Sequence, residues 1–239
     1  MRLKFDFTAQ QGTHFGVVKT VDELLGAIPN PVDWWDATPS SVTIADGLVS
    51  AWTGANGRRF VQATVALQPS YGGNGLRMAN TDMTAATALM SLEGTQIGAQ
   101  PALTIASKVR LASTALTIDG QYIWACQSPI HRVTYRYTNG NNYVRSQVIN
   151  STNNLDRDIP ADRNMIGTLW VVDGDNYTLH VAGAGSISFS GSEGVNLASL
   201  TIGGAASTVP SLIGWFSRFG VWRHVPTPAE IETLLQWVG

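Results

Sequence analysis

Cysteine is nearly missing from this chain. Cys126 is the single one in 239 residues, so no intramolecular disulfide and no cysteine-based metal cluster can form. Preceded by Trp124 and Ala125 in a strand-like run, it reads as a buried core thiol. Charge is scarce as well. Charged residues make up 13% of the chain, against about 25% in ordinary soluble domains, and the net charge of −2 gives no field that would recruit nucleic acid or anionic lipid. No apolar run approaches the ~20 residues needed to span a bilayer, so no membrane insertion is expected. The start, Met1-Arg-Leu-Lys-Phe-Asp-Phe7, lacks the apolar core of a secretion signal, and assembly in the cytoplasm is the corresponding expectation. Histidines at 14, 131, 180 and 224 show no metal-binding spacing, and no serine sits in a nucleophile elbow.

What the chain does have is β-strand pattern and turn signals. Leu103 to Arg110 alternates as a long strand would. Val133, Tyr135 and Tyr137 point one way while Arg132, Thr134 and Arg136 point the other; Asn139-Gly140 turns the chain into Tyr143–Ile149. A second hairpin runs from Thr168–Val172 through Asp173-Gly174-Asp175 to Asn176–Val181. Asp119-Gly120 reads as a further two-residue turn between Ala115–Ile118 and Tyr122–Cys126, and residues 150–165 as a polar excursion. Roughly a dozen short strands at this spacing predict an all-β sandwich. Residues 69–99 carry no assignable pattern.

The C-terminus is a helix with a legible start. Thr227 is its N-cap, Pro228 its first residue and Glu230 the N3 partner of a capping box. Ile231, Leu234, Leu235 and Val238 then form one apolar face. Residues 1–33 read as a separate N-terminal arm, too short to bury a core alone. Leu3, Phe5 and Phe7 on an alternating strand, with Leu24 and Leu25 on a short apolar segment, are its candidate anchoring residues.

Two segments carry a family resemblance. One is Trp35-Asp-Ala-Thr, Ile44-Ala-Asp-Gly-Leu-Val-Ser-Ala-Trp52, Asn56-Gly57, Gln62-Ala-Thr and Gln68-Pro-Ser-Tyr71. The other is Leu200-Thr-Ile-Gly-Gly204, the apolar run 213–225 and the terminal helix. Together they resemble the laminin-G-like, concanavalin A-like jelly-roll domains of bacteriophage and bacterial proteins, over residues 34–239. The resemblance implies two antiparallel sheets, a short C-terminal helix and an N-terminal extension.

With the missing secretion signal and the dependent N-terminal arm, it also implies a non-enzymatic virion structural protein: a capsid decoration, collar, fibre or baseplate-associated subunit. Such a protein would be located in the virion, oligomeric among other virion proteins, and would attach to a bacterial surface polysaccharide. A freestanding carbohydrate-binding lectin is the alternative, and a polysaccharide hydrolase the third reading. The hydrolase needs two carboxylates about 5–5.5 Å apart for a retaining mechanism. Glu23, Glu93, Glu193, Glu230 and Glu232 form no such strand pair.

Sugar binding asks for aromatic faces beside hydrogen-bonding side chains. Trp52, Trp124 and Trp170 fall in apolar strands and read as core. Trp34, adjacent to Trp35 and so pointing the other way, is the candidate platform; Arg132, Arg136 and Tyr143 form the candidate polar face. No cofactor is expected. Calcium, which takes six to eight oxygens, is the one ion these loops admit, with Asp156, Asp158, Asp173 and Asp175 as candidate ligands; ordinary turn aspartates are the plainer reading.

Overall fold

The structure is a computed structural model, and it describes residues 19–78, 88–94, 97–126, 131–148, 154–191, 195–197, 199–204 and 212–239. Leu3, Phe5 and Phe7 lie outside the described residues. In chain order the elements are α1 (Val21–Gly26), β1 (Pro31–Asp36), β2 (Val42–Ala45), β3 (Leu48–Thr53), β4 (Arg59–Val61), β5 (Ser70–Gly72), β6 (Gly75–Arg77), β7 (Met90–Leu92), β8 (Ile97–Gln100) and β9 (Ala102–Leu111). They continue with β10 (Gln121–Cys126), β11 (His131–Thr138), β12 (Asn141–Val148), β13 (Asn154–Ile159), β14 (Met165–Asp173), β15 (Asn176–Val181), β16 (Gly185–Ser190), β17 (Val195–Leu197), β18 (Thr201–Ile202), β19 (Gly214–Trp222) and α2 (Pro228–Val238).

All strand pairs are antiparallel. A front layer runs β2–β3–β4–β7–β18–β10–β11–β12–β13. A back layer runs β1–β19–β9–β14–β15–β16. One edge of β19 is shared by β6 and β1, each along part of its length, and β5 pairs with both β6 and β3, stitching the layers together. This is the expected jelly-roll sandwich.

Between the layers lies one core. Trp35, Trp52, Phe60, Phe216 and Phe219 meet at one end, with ring centroids 4.9–6.3 Å apart. Trp124, Trp170 and Tyr177 fill the other end, and all eight of these rings are fully buried. Cys126 is buried beside them, and burial pushes its thiol up to about 12, so it stays protonated and unreactive at neutral pH.

A second core sits on the outer face of the back layer. Alternation along β1, β9, β14 and β19 sends Trp34, Ala106, Leu169, Val171 and Trp222 outward, where Leu25, Ile28, Leu234, Trp237 and Val238 of the helical segments cover them. The predicted capping box of α2 is formed: Glu230 Oε2 accepts from the Thr227 N–H at 2.7 Å and Thr227 Oγ1 accepts from the Glu230 N–H. α1 has the same box, built from Thr20 and Glu23. Two glycines let α2 approach the sheet. A Cβ on Gly167 would lie 2.3 Å from the Val238 carbonyl oxygen, and one on Gly220 would lie 2.3 Å from the Trp222 ring and 3.1 Å from that of Trp237.

Several expectations are corrected here. The boundary placed at residue 33 falls inside β1; of the two ways open to the N-terminal segment, packing on the main domain or gripping another subunit, its described part takes the first, with Leu25 1% exposed in the second core and Leu24 facing solvent. The polar excursion at 150–165 contains β13, because Leu155 and Ile159 alternate with polar residues and reach the core. Ala115–Ile118 forms no strand: a 3-10 turn occupies Ser113–Ala115, and Asp119 spends its carboxylate on Arg136 and the Tyr137 N–H instead of closing a hairpin.

Asp33 secures β1. Fully buried, its carboxylate accepts the N–H groups of Trp34, Asn56 and Arg58 at 2.7–2.8 Å. Burial pushes its pKa up, and those three backbone donors work against that rise. Asp33→Asn turns one acceptor into a donor facing the Arg58 N–H, and the expected cost is about 1–3 kcal/mol in urea unfolding. Leu234→Ala should cost about 2–5 kcal/mol in the same measurement, since it empties the fully buried centre of the helix–sheet contact.

Candidate functional site

The two layers expose different outer faces. Helices cover the middle of the back layer's, over Trp34, Ala106, Leu169, Val171 and Trp222, whereas on the front layer β10–β13 carry polar and aromatic side chains in register. Tyr122, Thr134, Arg145 and Asp156 form one row across β10, β11, β12 and β13. Arg136, Tyr143 and Asp158 form the next, and Ala125, Arg132, Gln147 and Asn154 the third. The period-2 alternation of β11–β13, with a bulge in β10 between Tyr122 and Trp124 that puts Tyr122 and Ala125 on one side, sets all of them opposite Val133, Tyr135 and Val144, which enter the core.

These side chains hold one another. Arg136 grips Asp119 through two hydrogen bonds of 2.7 and 2.9 Å, and Arg145 grips Asp156 through two of 2.7 and 2.6 Å. Arg132 donates to the Gln147 side-chain oxygen at 2.7 Å and to the Tyr122 hydroxyl, with its guanidinium 5.1 Å from the Tyr122 ring centre. The Arg145 guanidinium lies 5.3 Å from the ring of Tyr143, whose hydroxyl meets that of Thr138 at 3.4 Å. The Asp119 hydrogen bonds from Arg136 keep its carboxyl below the usual carboxylate range. The result is a preorganised face on which Arg136 and Arg145 are matched by carboxylates and Arg132 is held by neutral groups, with Tyr143 partly exposed and Tyr122 buried beneath Arg132.

The structure therefore brings Arg132, Arg136 and Tyr143 together, as expected, but not Trp34. Trp34 does point away from Trp35, yet into the helical layer: it is 8% exposed and donates from Nε1 to Asp22 at 3.0 Å, so it offers no sugar platform. The four calcium candidates are not assembled either. Asp156 and Asp158 lie on β13, the first engaged by Arg145, while Asp173 and Asp175 flank the β14–β15 turn in the other layer. Among the described residues no three His, Cys, Asp or Glu side chains group as a metal site.

Arg145 and Gln147 were missed in the sequence, although their i+2 and i+4 spacing from Tyr143 already puts them on its face. Tyr122 and Asp119 join the site only through cross-strand pairing and a loop, which no local spacing records.

No protein-family model matches the chain, and no curated protein matches it. Solved structures do. A botulinum neurotoxin serotype D ligand-binding domain, in complex with N-acetylneuraminic acid, is similar over 90% of this chain and 52% of its own, with a TM-score of 0.62 at 11% identity. Domain 4 of an extracellular arabinanase from Geobacillus stearothermophilus, in complex with arabinotriose, is similar over 87% of this chain and 98% of its own, with a TM-score of 0.52 at 13% identity. The Trypanosoma rangeli sialidase in complex with sialic acid gives a TM-score of 0.56 at 12% identity, over 90% of this chain and 36% of its own. The chain thus spans about half the length of the neurotoxin structure and nearly all of the arabinanase domain. At these identities the likeness is one of fold: a β-sandwich of the jelly-roll kind.

The matched charges of the front face predict an acid sensitivity. Because the folded-state pKa of Asp119 is lowered, its ion pair contributes stability above the ordinary carboxylate pKa of about 4 and loses it as pH falls through the lowered value. Thermal unfolding followed from pH 7 to pH 2 should show a smaller acid-induced drop in Tm for Asp119→Asn than for the wild type.

Proposed function

We propose that this protein is a non-catalytic glycan-binding domain whose ligand lies across the outer face of β10–β13. The observation that carries this reading is the prearranged array of Arg132, Arg136, Tyr143, Arg145 and Gln147, all partly exposed and underpinned by the buried Tyr122, whereas helices cover the middle of the other layer's outer face. Such an open sheet face suits the middle of an extended polysaccharide: a sugar ring rests on Tyr143, and its hydroxyls exchange hydrogen bonds with Gln147, Asp158 and the arginine–carboxylate pairs. Pairing of Arg136 and Arg145 with carboxylates points to a largely neutral chain at this face.

The kinship in fold with domains crystallised with sialic acid and arabinotriose supports a carbohydrate ligand. A non-catalytic role is supported by the engagement of the described glutamates: Glu23 and Glu230 close capping boxes and Glu93 pairs with Arg59 at 3.5 Å.

The setting we infer is a bacteriophage particle, in which the domain serves as an oligomeric structural subunit that contacts a bacterial surface polysaccharide. This rests on the resemblance carried by residues 35–71 and 200–239. Analytical size exclusion tests it: an oligomer favours the particle subunit, and a stable monomer with glycan affinity favours a freestanding lectin.

A glycan array of bacterial and plant polysaccharides tests the binding itself. Tyr143→Ala and Arg132→Gln should each weaken the best ligand by about tenfold or more while leaving the far-ultraviolet circular dichroism unchanged. An array without ligands, or a ligand whose affinity neither substitution alters, would overturn the assignment of this face.

A further inference from the structure

A second concentration of charge lies on the outer face of the back layer, beyond the end of α2. Arg77, Trp215 and Arg110 form a row across β6, β19 and β9, each guanidinium 6.0 Å from the centre of the indole. Asp36, Arg218 and Lys108 form the adjacent row across β1, β19 and β9. Where the two rows meet, the chain leaves an open cleft of about 280 Å³, lined among others by Asn74 and Ser217. That volume is near the lower end of small-molecule sites, about 300 Å³, and holds one sugar-sized residue. The β5–β6 turn closes over it because Gly75 takes a φ of +107° and a Cβ there would lie 2.3 Å from the Phe216 carbonyl oxygen.

The cations here outnumber the side-chain carboxylates that hold them. Arg110 donates to the Asn74 side-chain oxygen at 2.9 Å, Arg218 to the Trp237 carbonyl oxygen and Lys108 to the Gly239 carbonyl oxygen. Among the described residues, the side-chain carboxylate within ion-pair reach is that of Asp36, 3.6 Å from Arg218 and about half exposed. Three cations, Lys108, Arg110 and Arg218, thus line the cleft with one side-chain carboxylate, and Arg77 stands on the far side of Trp215, in a chain whose overall charge is −2. The contrast with the front face, where Arg136 and Arg145 each hold a bidentate carboxylate, is the point of interest. Burial and the neighbouring Arg218 also push the Lys108 pKa down, and Asp36 offsets part of that.

We propose that this cleft is an oxyanion subsite that binds an acidic sugar residue, one bearing a carboxylate or a phosphate group. The Arg110 fork, held between Asn74 and Trp215, takes the oxyanion through paired N–H donors, and Lys108 and Arg218 add charge. The Ser217 hydroxyl and the Asn74 amide are placed for the sugar hydroxyls. Trp215 stands between two guanidiniums, so it orients them and leaves ring stacking to other groups. The site lies on the opposite layer from the front face and stands whether or not that face binds a glycan.

Nuclear magnetic resonance titration of the full chain tests the proposal with three probes: inorganic phosphate, oligogalacturonate and a neutral galactose oligomer. Both anions should shift the amides of residues 72–77 and 214–218, more weakly as salt is raised, and oligogalacturonate should bind about tenfold or more tighter than phosphate. The neutral oligomer should leave these amides unmoved. Arg110→Gln should weaken the acidic oligomer by about tenfold or more, Arg110→Lys should retain part of the affinity, and Tyr143→Ala on the front face should leave it unchanged. Equal affinity for phosphate and oligogalacturonate would overturn the sugar ligand in favour of a free-anion site. Absence of shifts with both anions, or undiminished binding in a folded Arg110→Gln variant, would overturn the site altogether.

Discussion

The one-residue bulge of β19 between Phe216 and Arg218 governs both faces of the back layer. In a regular strand, residues three apart point to opposite sides; the extra residue at Ser217 lets Phe216 and Phe219 both enter the main core. It also resets the alternation so that Arg218, Gly220 and Trp222 face outward. Gly220 then makes room for the edge-to-face contact of Trp222 with Trp237, whose ring centres are 6.1 Å apart. Without the bulge, one phenylalanine would leave the core or the α2 docking surface would invert. The same irregularity sits at the passage from the β6 partner to the β1 partner, so the cleft above it follows from the core packing below.

The molecule treats its two charged surfaces differently. On the front face, guanidinium–carboxylate pairs fix the side chains while cancelling net charge, which preserves specificity and suppresses indiscriminate attraction. On the back face, Asn74 holds Arg110, Asp36 pairs with Arg218, and the cations are only partly cancelled. Ion pairs at such partly exposed positions contribute little to stability, so the difference has little effect on the fold.

Much of the fold was legible because it is written in local periodicity. The hairpins at 131–148 and 168–181, the α2 capping box and the core tryptophans all follow from alternation or spacing within a few residues. Trp34 and Leu25 were misread for a shared reason: an alternation reports which side a residue takes, but not whether another element covers that side. The partners of Tyr143 were half legible, since Arg145 and Gln147 share its strand while Asp119, Tyr122 and Asp158 arrive from other segments. The cleft was not legible at all. Its charged residues come from β1, β9 and β19, spread over more than half the chain, and only strand register brings them into adjacent rows.

The helical layer also sets how the domain is mounted. The chain enters the described fold just before α1 and leaves it just after α2, and both helices lie on the back layer. Both junctions therefore lie on the layer opposite β10–β13. The cationic cleft, reached by the Lys108 contact with Gly239, thus sits beside the α2 junction, and the β10–β13 face sits across the sandwich from it.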